Sequence, residues 1–322
     1  MQKIMTLTVN PAIDKSTTVE RILPNSKLRC AIPRYDAGGG GVNVSRAIKK
    51  LGGDSLCMYL AGGPSGTFLK KLLDEEKIEQ KIIPTKSWTR ENLSVTEESS
   101  DKQYRFGMPG LAVEEGEWQQ ALRILEETLS EGDYLVVSGS LCPGIPDNFY
   151  QRVALIAKNI RAKLILDTSG EPLLLGMKGG VFLLKPNLSE LSVLCGVKAI
   201  SVNNMESLAQ KFLVDNDCEV LVVSMGPKGA MLVTADFMEL VPAPVVQQQS
   251  TIGAGDSMVA GMVWSLAMGK SLSEMVKYGV AAGTAATMKK GTQLCEKEHV
   301  DQLYEWILAH ASNDEQFQKS QF

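Results

Sequence analysis

The chain has 322 residues, of which 44% are apolar and 22% are charged, as is usual for a globular protein with a large buried core. Its net charge of −4 argues against a surface for nucleic acid or for an anionic membrane. No apolar run approaches the ~18 residues of a membrane span, and residues 1–10 alternate like a strand rather than a signal peptide.

Cysteine and histidine usage narrows the chemistry. The six cysteines are scattered with no C-x-x-C pair, which favours reduced thiols in a cytoplasmic protein. The two histidines, His299 and His310, both lie near the C-terminus. This argues against histidine-dependent hydrolysis and histidine-ligated metals. We therefore expect the chemistry to come from Asp, Glu, Lys, Arg and backbone groups.

The first 110 residues contain extended segments that have no helix between them. They interrupt a helix-and-strand region, 42–77, that belongs to the rest of the chain. The simplest interpretation is a small β-sheet built from two insertions, residues 15–36 and 88–108, which forms a lid; ordinary surface hairpins are the alternative. The extended segments are Ser16–Ile22, Leu28–Tyr35, Leu93–Glu97 and Gln103–Phe106.

From residue 110 onward, helical patterns alternate with short β-branched runs, which predicts strands buried on both faces of a parallel sheet. The predicted fold class is therefore α/β, with a core of residues 1–14, 37–87 and 109–312 and a disordered tail, 313–322. The predicted helices are 113–129, 148–159, one after Asn187, 205–214 and most of 256–307; the predicted strands are 134–137, 163–166, 181–184 and 220–223, with an antiparallel pair at 230–233 and 239–241.

The segment Ser250–Ser257 places two glycines and Asp256 directly before an apolar helical run. Free N–H groups at a helix start favour an anion, and glycines let it approach closely. A carboxylate beside a bound phosphoryl group is what a kinase needs to accept the proton of an attacking hydroxyl. The alternative is an acid that only stabilises the helix start.

Two common nucleotide motifs do not fit this region. The dinucleotide fingerprint requires glycine where the chain has Met258, and a P-loop ending at Gly269-Lys-Ser requires glycine at Trp264. We instead predict that a helix ends at Gly269 and that a capping box, Ser271 to Glu274, begins the next helix.

Glycine-rich segments elsewhere follow predicted strands. Gly38–Gly41 precedes a helix whose Asn43 can present an amide to sugar hydroxyls, or else the glycines form a hinge. Asp14, after the first strand, is a candidate hydroxyl acceptor or a turn residue. The segment 224–229 is glycine-rich as well and either lines the same crevice or forms a β-turn.

Lys185 to Glu190 ends a strand and opens a helix. Asn187 and Glu190 have the spacing of a capping box, and they also lie where ligands bind at the edge of a parallel sheet. We expect Glu190 to help hold Mg²⁺ and its waters. On the predicted lid, Lys27, Arg90 and Arg105 form a solvated face or grip a phosphate on the acceptor.

Together these motifs resemble the PfkB, or ribokinase-like, carbohydrate kinases. The segment Gly38 to Ala47 and the segment Thr251 to Ser257 are similar to the two signatures of that family, and Asn187-x-x-Glu190 to its metal-associated motif. The segments Lys27–Cys30, Trp88–Arg90, Gln103–Phe106 and Met108–Gly110 most resemble its minor bacterial 6-phosphofructokinases. The resemblance implies a three-layer α/β/α core with a mostly parallel sheet and a β lid, a homodimer formed through the lid, and transfer from MgATP to the C1 hydroxyl of fructose 6-phosphate.

The resemblance also implies residue roles. Asp256 is implied as the base, and Gly253, Ala254 and Gly255 as the anion hole. The residues implied to hold the sugar phosphate are Asp14, Gly39, Asn43, Arg90, Arg105 and Ser140, with Lys27 reaching across the dimer. Those implied for ATP are Lys185, Asn187, Ser224, Gly226, Gly229, Val280 and Thr284. Those implied for a monovalent cation such as K⁺ are Ser250, Ile252, Ala286, Lys289, Gly291 and Gln293, of which Lys289 and Gln293 depart from the usual residues.

Three alternatives remain open at this level. The acceptor could instead be tagatose 6-phosphate, which differs from fructose 6-phosphate at one stereocentre, or fructose 1-phosphate, which differs in the position of the phosphate. The spacing of residues in the sequence does not distinguish these acceptors. A kinase for nucleosides or unphosphorylated sugars would not need Arg90 and Arg105. A catalytically silent sensor of sugar phosphates or nucleotides would be favoured by an altered acid at 256, but the acid is present.

Overall fold

The computed structural model describes residues 2–200 and 202–318. The strands in chain order are β1 (Ile4–Thr8), β2 (Ala12–Val19), β3 (Arg34–Gly38), β4 (Leu56–Ala61), β5 (Glu79–Pro84), β6 (Arg90–Glu97), β7 (Lys102–Phe106), β8 (Tyr134–Ser138), β9 (Lys163–Asp167), β10 (Val181–Leu184), β11 (Cys218–Ser224), β12 (Ala230–Val233) and β13 (Met238–Val241). The helices are α1 (Gly40–Lys50), α2 (Gly63–Glu75), α3 (Glu115–Thr128), α4 (Phe149–Ile160), α5 (Glu171–Met177), α6 (Leu188–Leu194), α7 (Val202–Asp215), α8 (Ala254–Ala267), α9 (Leu272–Thr287) and α10 (Lys297–Gln318).

Nine strands form the central sheet, in the order β13-β12-β11-β10-β9-β8-β1-β4-β5. All pairs from β11 to β5 are parallel, and β12 and β13 add an antiparallel edge. The predicted mostly parallel α/β sheet is confirmed. The strand order places the carboxyl ends of β1, β8, β9, β10 and β11 along one edge, which is where open α/β sheets bind ligands.

Helices cover both faces of this sheet because its strands are apolar on both sides. On one face Leu135 and Val137 pack with residues of α3 to α7, and on the other Tyr134 and Val136 pack with residues of α1, α8, α9 and α10. Successive strand side chains point to opposite faces, so one strand contributes to both cores. The three-layer architecture is therefore confirmed.

A second, four-stranded sheet, in the order β3-β2-β6-β7, corresponds to the predicted small β-sheet; we call it the lid sheet. Its β2 and β6 are parallel, and its other pairs are antiparallel. The predicted strand Leu28–Tyr35 is wrong for most of its length, because β3 begins at Arg34 and residues 20–33 form a loop. That loop is largely exposed, so its apolar residues do not mark a strand that packs on this chain.

The sequence did not predict every helix and strand, but it predicted the start of α9 correctly. The short α5 and the edge strand β5 carry weak periodicity and were not predicted. The capping box of α9 is present, with both Ser271 and Glu274 in their expected roles. Residues 313–318 of the predicted tail continue α10, and residues 319–322 lie outside the described residues. No helix in the part of the chain described is long and apolar enough to cross a membrane.

Candidate active site

Asp256 lies in the first turn of α8, at the edge of the central sheet. The residue before the helix, Gly253, has a left-handed backbone with φ of 73°. A β-carbon there would lie 2.6 Å from the Leu294 side chain, so the turn needs glycine. The side-chain amide of Asn43, in α1, donates to Oδ2 of Asp256 over 2.9 Å. Two helices from opposite ends of the chain thus hold this carboxylate.

The surroundings of Asp256 favour its protonated form. Burial, and next the nearby charge of Asp167, raise the pKa of Asp256 from its ordinary value of 3.8 to about 6, although the Asn43 hydrogen bond and Lys185 oppose the rise. A carboxylate with a pKa near the working pH is suited to accept a proton. The electrostatics therefore fit a general base better than a structural acid.

Lys185 and Asp167 form an ion pair beside Asp256, with Nζ and Oδ1 separated by 3.1 Å. Asp167 ends β9, and Lys185 directly follows the neighbouring strand β10. Burial would lower the pKa of Lys185, but Asp167, with smaller contributions from Glu190 and Asp256, raises it above its ordinary value. Lys185 therefore remains a charged ammonium close to the helix start that carries Gly253 and Asp256.

A cleft of about 180 Å³ lies between α8 and the lid sheet; we call it the acceptor cleft. Several predicted site residues come together there: Asp14, Asn43, Arg105, Ile252, Gly253 and Asp256. Its walls also include side chains that were not predicted, among them Asn92, Ser94 and Thr292. The alternation of polar residues along β6 is the signal that could have identified Asn92 and Ser94.

Asp14 is held tightly in this cleft. The Asn92 side chain donates to Oδ1 of Asp14 over 2.8 Å and accepts from the backbone N–H of Met108. On its other side, a β-carbon at Gly38 would lie 2.2 Å from Oδ2 of Asp14, so only glycine leaves room for the carboxylate. Burial raises the pKa of Asp14, while the Asn92 hydrogen bond lowers it.

The other predicted acceptor residues are not part of the lining of this cleft. Arg90 donates to the backbone carbonyls of Met108 and Asn10, over 2.9 and 3.1 Å, and lines a neighbouring cavity together with Ser140. Gly39, with φ of 107°, begins α1. Lys27 lies in the exposed 20–33 loop.

A network behind the cleft connects the lid sheet with the core. The buried Arg46, in α1, donates to Glu76 and to Asp36 of β3, and Asp36 also accepts from the Thr292 hydroxyl over 2.8 Å. Burial would raise the pKa of Asp36, but the hydrogen bonds from Arg34 and the charge of Arg46 lower it overall. Asp36 thus stays ionised and fixes β3 to α1. No local sequence pattern predicts this network, because its residues are far apart along the chain.

A second pocket, of about 330 Å³, lies on the other side of the α8 start; we call it the nucleotide pocket. Its lining is mostly apolar and includes the loop after β11, the segment 243–248 and α9. Predicted nucleotide residues that line it are Ser224, Gly226, Gly229, Val280 and Thr284, and the helix-start residues Ala254 and Gly255 line it as well.

Asn187 and Glu190 form the capping box of α6 in both directions: the Asn187 side chain accepts from the Glu190 backbone, and the Glu190 carboxylate accepts from the Asn187 backbone. The backbone of Asn187 also forms an isolated parallel β-bridge with Ser224, which lines the nucleotide pocket. Among the residues that the structure describes, no cluster of three or more His, Cys, Asp and Glu side chains could hold a metal alone. Carboxylates such as Glu190 and Asp167 suit a Mg²⁺ that keeps water and phosphate oxygens as ligands.

Three of the predicted monovalent-cation residues, Ser250, Ile252 and Gly291, are joined by hydrogen bonds. The Ser250 hydroxyl donates to the Gly291 carbonyl over 2.8 Å and accepts from the Ile252 backbone. Oxygen atoms of this kind are the ligands that hard cations prefer. The Lys289 ammonium is paired with Glu296, while the Lys289 backbone N–H donates to the carbonyl of Ala286. The backbone N–H of Gln293 bonds to residue 290.

The fold and these two adjoining sites define a phosphate-handling α/β enzyme, and comparison with known proteins identifies its family. Residues 7–299 match the pfkB family of carbohydrate kinases. The chain is 41% identical over 311 residues to "ATP-dependent 6-phosphofructokinase isozyme 2" of Escherichia coli K12, covering 95% of this chain and 99% of that one. It is 33% identical to a 1-phosphofructokinase of Borreliella burgdorferi, covering 93% and 96% of the two chains.

Comparison with solved structures supports the same family. Phosphofructokinase-2 from Escherichia coli in complex with fructose-6-phosphate superposes with a TM-score of 0.90 at 40% identity, covering 95% of this chain and 99% of that one. A structure of the same protein in complex with potassium, with the same identity and coverage, gives a TM-score of 0.92. This chain belongs to the pfkB family of carbohydrate kinases, and it is a phosphotransferase with a ribokinase-like fold.

Proposed function

We propose that the protein is an ATP-dependent 6-phosphofructokinase, which transfers the γ-phosphoryl group of MgATP to the C1 hydroxyl of fructose 6-phosphate. The observation that carries the proposal is the position of Asp256, in the acceptor cleft, at a helix start that also borders the nucleotide pocket. The high similarity to the 6-phosphofructokinase of E. coli supports this choice of acceptor.

In this reaction Asp256 accepts the proton of the C1 hydroxyl. Asn43 fixes one carboxylate oxygen, so the acid is oriented before the substrate arrives. The backbone N–H groups of Gly253 and Gly255 would face charge that develops on the transferring phosphoryl group. The Ala254 N–H, which donates to the Thr251 carbonyl over 3.4 Å, would join them by exchanging this long hydrogen bond. The Lys185 ammonium adds a positive charge beside the same helix start.

Acceptor recognition is assigned to both walls of the cleft. Asp14, held by Asn92, would accept from sugar hydroxyls, and Gly39 and Ser140 are assigned to the same sugar phosphate. Arg105 lines the cleft and supplies a guanidinium for the 6-phosphate. Arg90 supports this wall through two backbone carbonyls and contributes positive charge near Asp14.

We assign the remaining ligands to residues near the same helix start. ATP would bind in the nucleotide pocket, and Asn187 and Glu190, at the sheet edge, would help to hold Mg²⁺ and its waters. The bound Mg²⁺ would neutralise phosphate charge. Ser250, Gly291 and their neighbours 252, 286, 289 and 293 would hold a monovalent cation such as K⁺, as the potassium complex of the E. coli relative suggests.

We also propose a homodimer formed through the lid sheet. Exposed apolar side chains are concentrated on the lid strands and the 20–33 loop, and Ile32 is 96% exposed. An exposed apolar surface of this kind is typical of a protein contact. Lys27 lies in the same loop, from which it would reach the partner's acceptor cleft. A cytoplasmic location is proposed because all six cysteines are free thiols.

The first experiment measures MgATP-dependent ADP release with fructose 6-phosphate, tagatose 6-phosphate, fructose 1-phosphate and fructose, comparing kcat/KM. We expect a clear preference for fructose 6-phosphate. Preference for fructose 1-phosphate would instead favour a 1-phosphofructokinase, which is the activity named for the 33% identical relative. No turnover with any acceptor would contradict the proposal and favour a silent sensor.

Variants test the roles of individual groups. Asp256→Asn should lower kcat by roughly 10²-fold or more, the size of a general-base contribution, while the variant stays folded. Arg105→Ala should raise KM for fructose 6-phosphate without changing KM for ATP. Normal turnover in Asp256→Asn, or an unchanged acceptor KM in Arg105→Ala, would contradict the corresponding role.

A further inference from the structure

Ser94, in the middle of β6, has a buried hydroxyl that is not used within the described chain. The residue is 7% exposed, yet its Oγ has no hydrogen-bond partner among the described residues. An unsatisfied buried hydroxyl costs folding free energy, because it has lost its hydrogen bonds to water without replacement. Such a group is therefore expected to have a partner that the described residues do not supply.

The strand pairing shows where this partner would lie. Ser94 is directly opposite Arg105 of β7, and directly opposite residues on neighbouring strands share a face of the sheet. Asn92, two residues earlier on β6, is on that same face and contacts Asp14. Both Ser94 and Arg105 line the acceptor cleft. The unused hydroxyl thus adjoins a cationic side chain within the cleft.

The chemistry of the pair indicates the ligand. A hydroxyl and a guanidinium together offer several hydrogen-bond donors and a positive charge, which suits the oxygens of a phosphate ester. Asp14 and Asp256, the carboxylates of the cleft, would repel such a dianion and accept sugar hydroxyls instead. The acceptor's phosphate is therefore favoured on the lid wall, beside β6 and β7.

We propose that Ser94 determines acceptor specificity by donating a hydrogen bond to the phosphate of the acceptor, alongside Arg105. This inference rests on the proposed function, since it needs a phosphorylated acceptor in the cleft. It adds a residue to the site that had no motif in the sequence. It also explains why a polar side chain without an internal partner is buried in the lid sheet.

The test compares Ser94→Ala with a matched control, Thr96→Ala, which lies two residues further along the same strand and is not part of the cleft lining. We expect Ser94→Ala to lower kcat/KM for fructose 6-phosphate about tenfold, as for the loss of a hydrogen bond to a charged group. KM for MgATP and kcat/KM for unphosphorylated fructose should stay unchanged. Thr96→Ala should leave all of these parameters unchanged.

Thermal unfolding supplies a readout that does not depend on turnover. Without ligand, Ser94→Ala should unfold at the same temperature as the wild type or higher, because the substitution removes an unsatisfied group. Fructose 6-phosphate should raise its Tm less than it raises that of the wild type. An unchanged kcat/KM and an unchanged ligand-induced shift, or equal losses with fructose and fructose 6-phosphate, would overturn the inference.

These outcomes separate the two proposals. If the wild-type enzyme prefers another phosphosugar, the assignment of the acceptor fails, and the Ser94 comparison is made with that phosphosugar under the same criteria. If the wild type neither turns over nor is stabilised by any phosphosugar, both proposals fail. If it uses fructose 6-phosphate and Ser94→Ala behaves like Thr96→Ala, only the role of Ser94 fails.

Discussion

Replacing the proposed base should stabilise the ligand-free protein at neutral and alkaline pH. The pKa of Asp256 is about 6 in the folded chain, against an ordinary value of 3.8. Between these two pH values the unfolded chain releases the proton while the folded chain retains it. Stability therefore falls as pH rises from about 4 to about 6, and the loss persists at higher pH. Asp256→Asn does not titrate and avoids this loss.

The magnitude follows from the size of the pKa shift. A shift of about two units corresponds to about 3 kcal/mol at most. Because Asp256 is only half-buried, water screens part of the effect, and we expect about 1–3 kcal/mol. The asparagine oxygen at this position still accepts from Asn43, so no hydrogen bond is lost. In a chain of this length the gain corresponds to a Tm increase of roughly 1–4 °C.

The assay is urea or thermal unfolding of both proteins without ligand at a series of pH values from 4 to 8. The variant should be the more stable protein at pH 8, and the difference should disappear near pH 4. Asp236→Asn, at an exposed carboxylate, serves as the control and should follow the wild type. A stability difference that is independent of pH, or a less stable variant at pH 8, would refute the reasoning.

Three further variants test the surroundings of the site. Gly253→Ala forces a left-handed backbone onto a residue with a β-carbon, so it should cost about 1–2 kcal/mol in urea unfolding and lower kcat. Lys185→Met leaves Asp167 without its cation and should cost about 3 kcal/mol at pH 8; adding Asp167→Asn should recover part of this loss, and full additivity would contradict the pairing. Asn92→Ala removes a hydrogen bond that lowers the pKa of Asp14, so the acidic limb of the kcat/KM profile should move to higher pH; an unmoved limb would contradict this role.

Much of the fold could be predicted because its strands are apolar on both faces. Runs such as Leu135–Val137 and Leu221–Val223 are buried between two helical layers, and no other structure accommodates them as simply. The strands of the lid sheet were harder to predict from the sequence. Its loop contains apolar residues such as Leu28 and Ile32 that are exposed in this chain, and alternation alone made that loop resemble a strand.

The helix start of the candidate site could be predicted because its residues are adjacent in sequence. Gly253 to Asp256 form one helix start, so local pattern was sufficient to identify it. Asn92, Ser94 and Thr292 were missed because their roles come from strand register and from contacts between distant segments. A single sequence contains no record of which strands pair, so contacts of this kind emerge only from the three-dimensional structure.

The hydrogen bonds that complete the acceptor cleft also have a consequence for biosynthesis. Asn43 and Asp256 are 213 residues apart, and Asp36 and Thr292 are 256 residues apart. A chain that emerges from the ribosome presents β3 and α1 long before their partners exist. Non-local contacts of this kind form late and slowly. The nascent protein therefore positions the Asp256 carboxylate and anchors β3 only after residues 256 and 292 have been synthesised, so the acceptor cleft cannot form before these segments emerge.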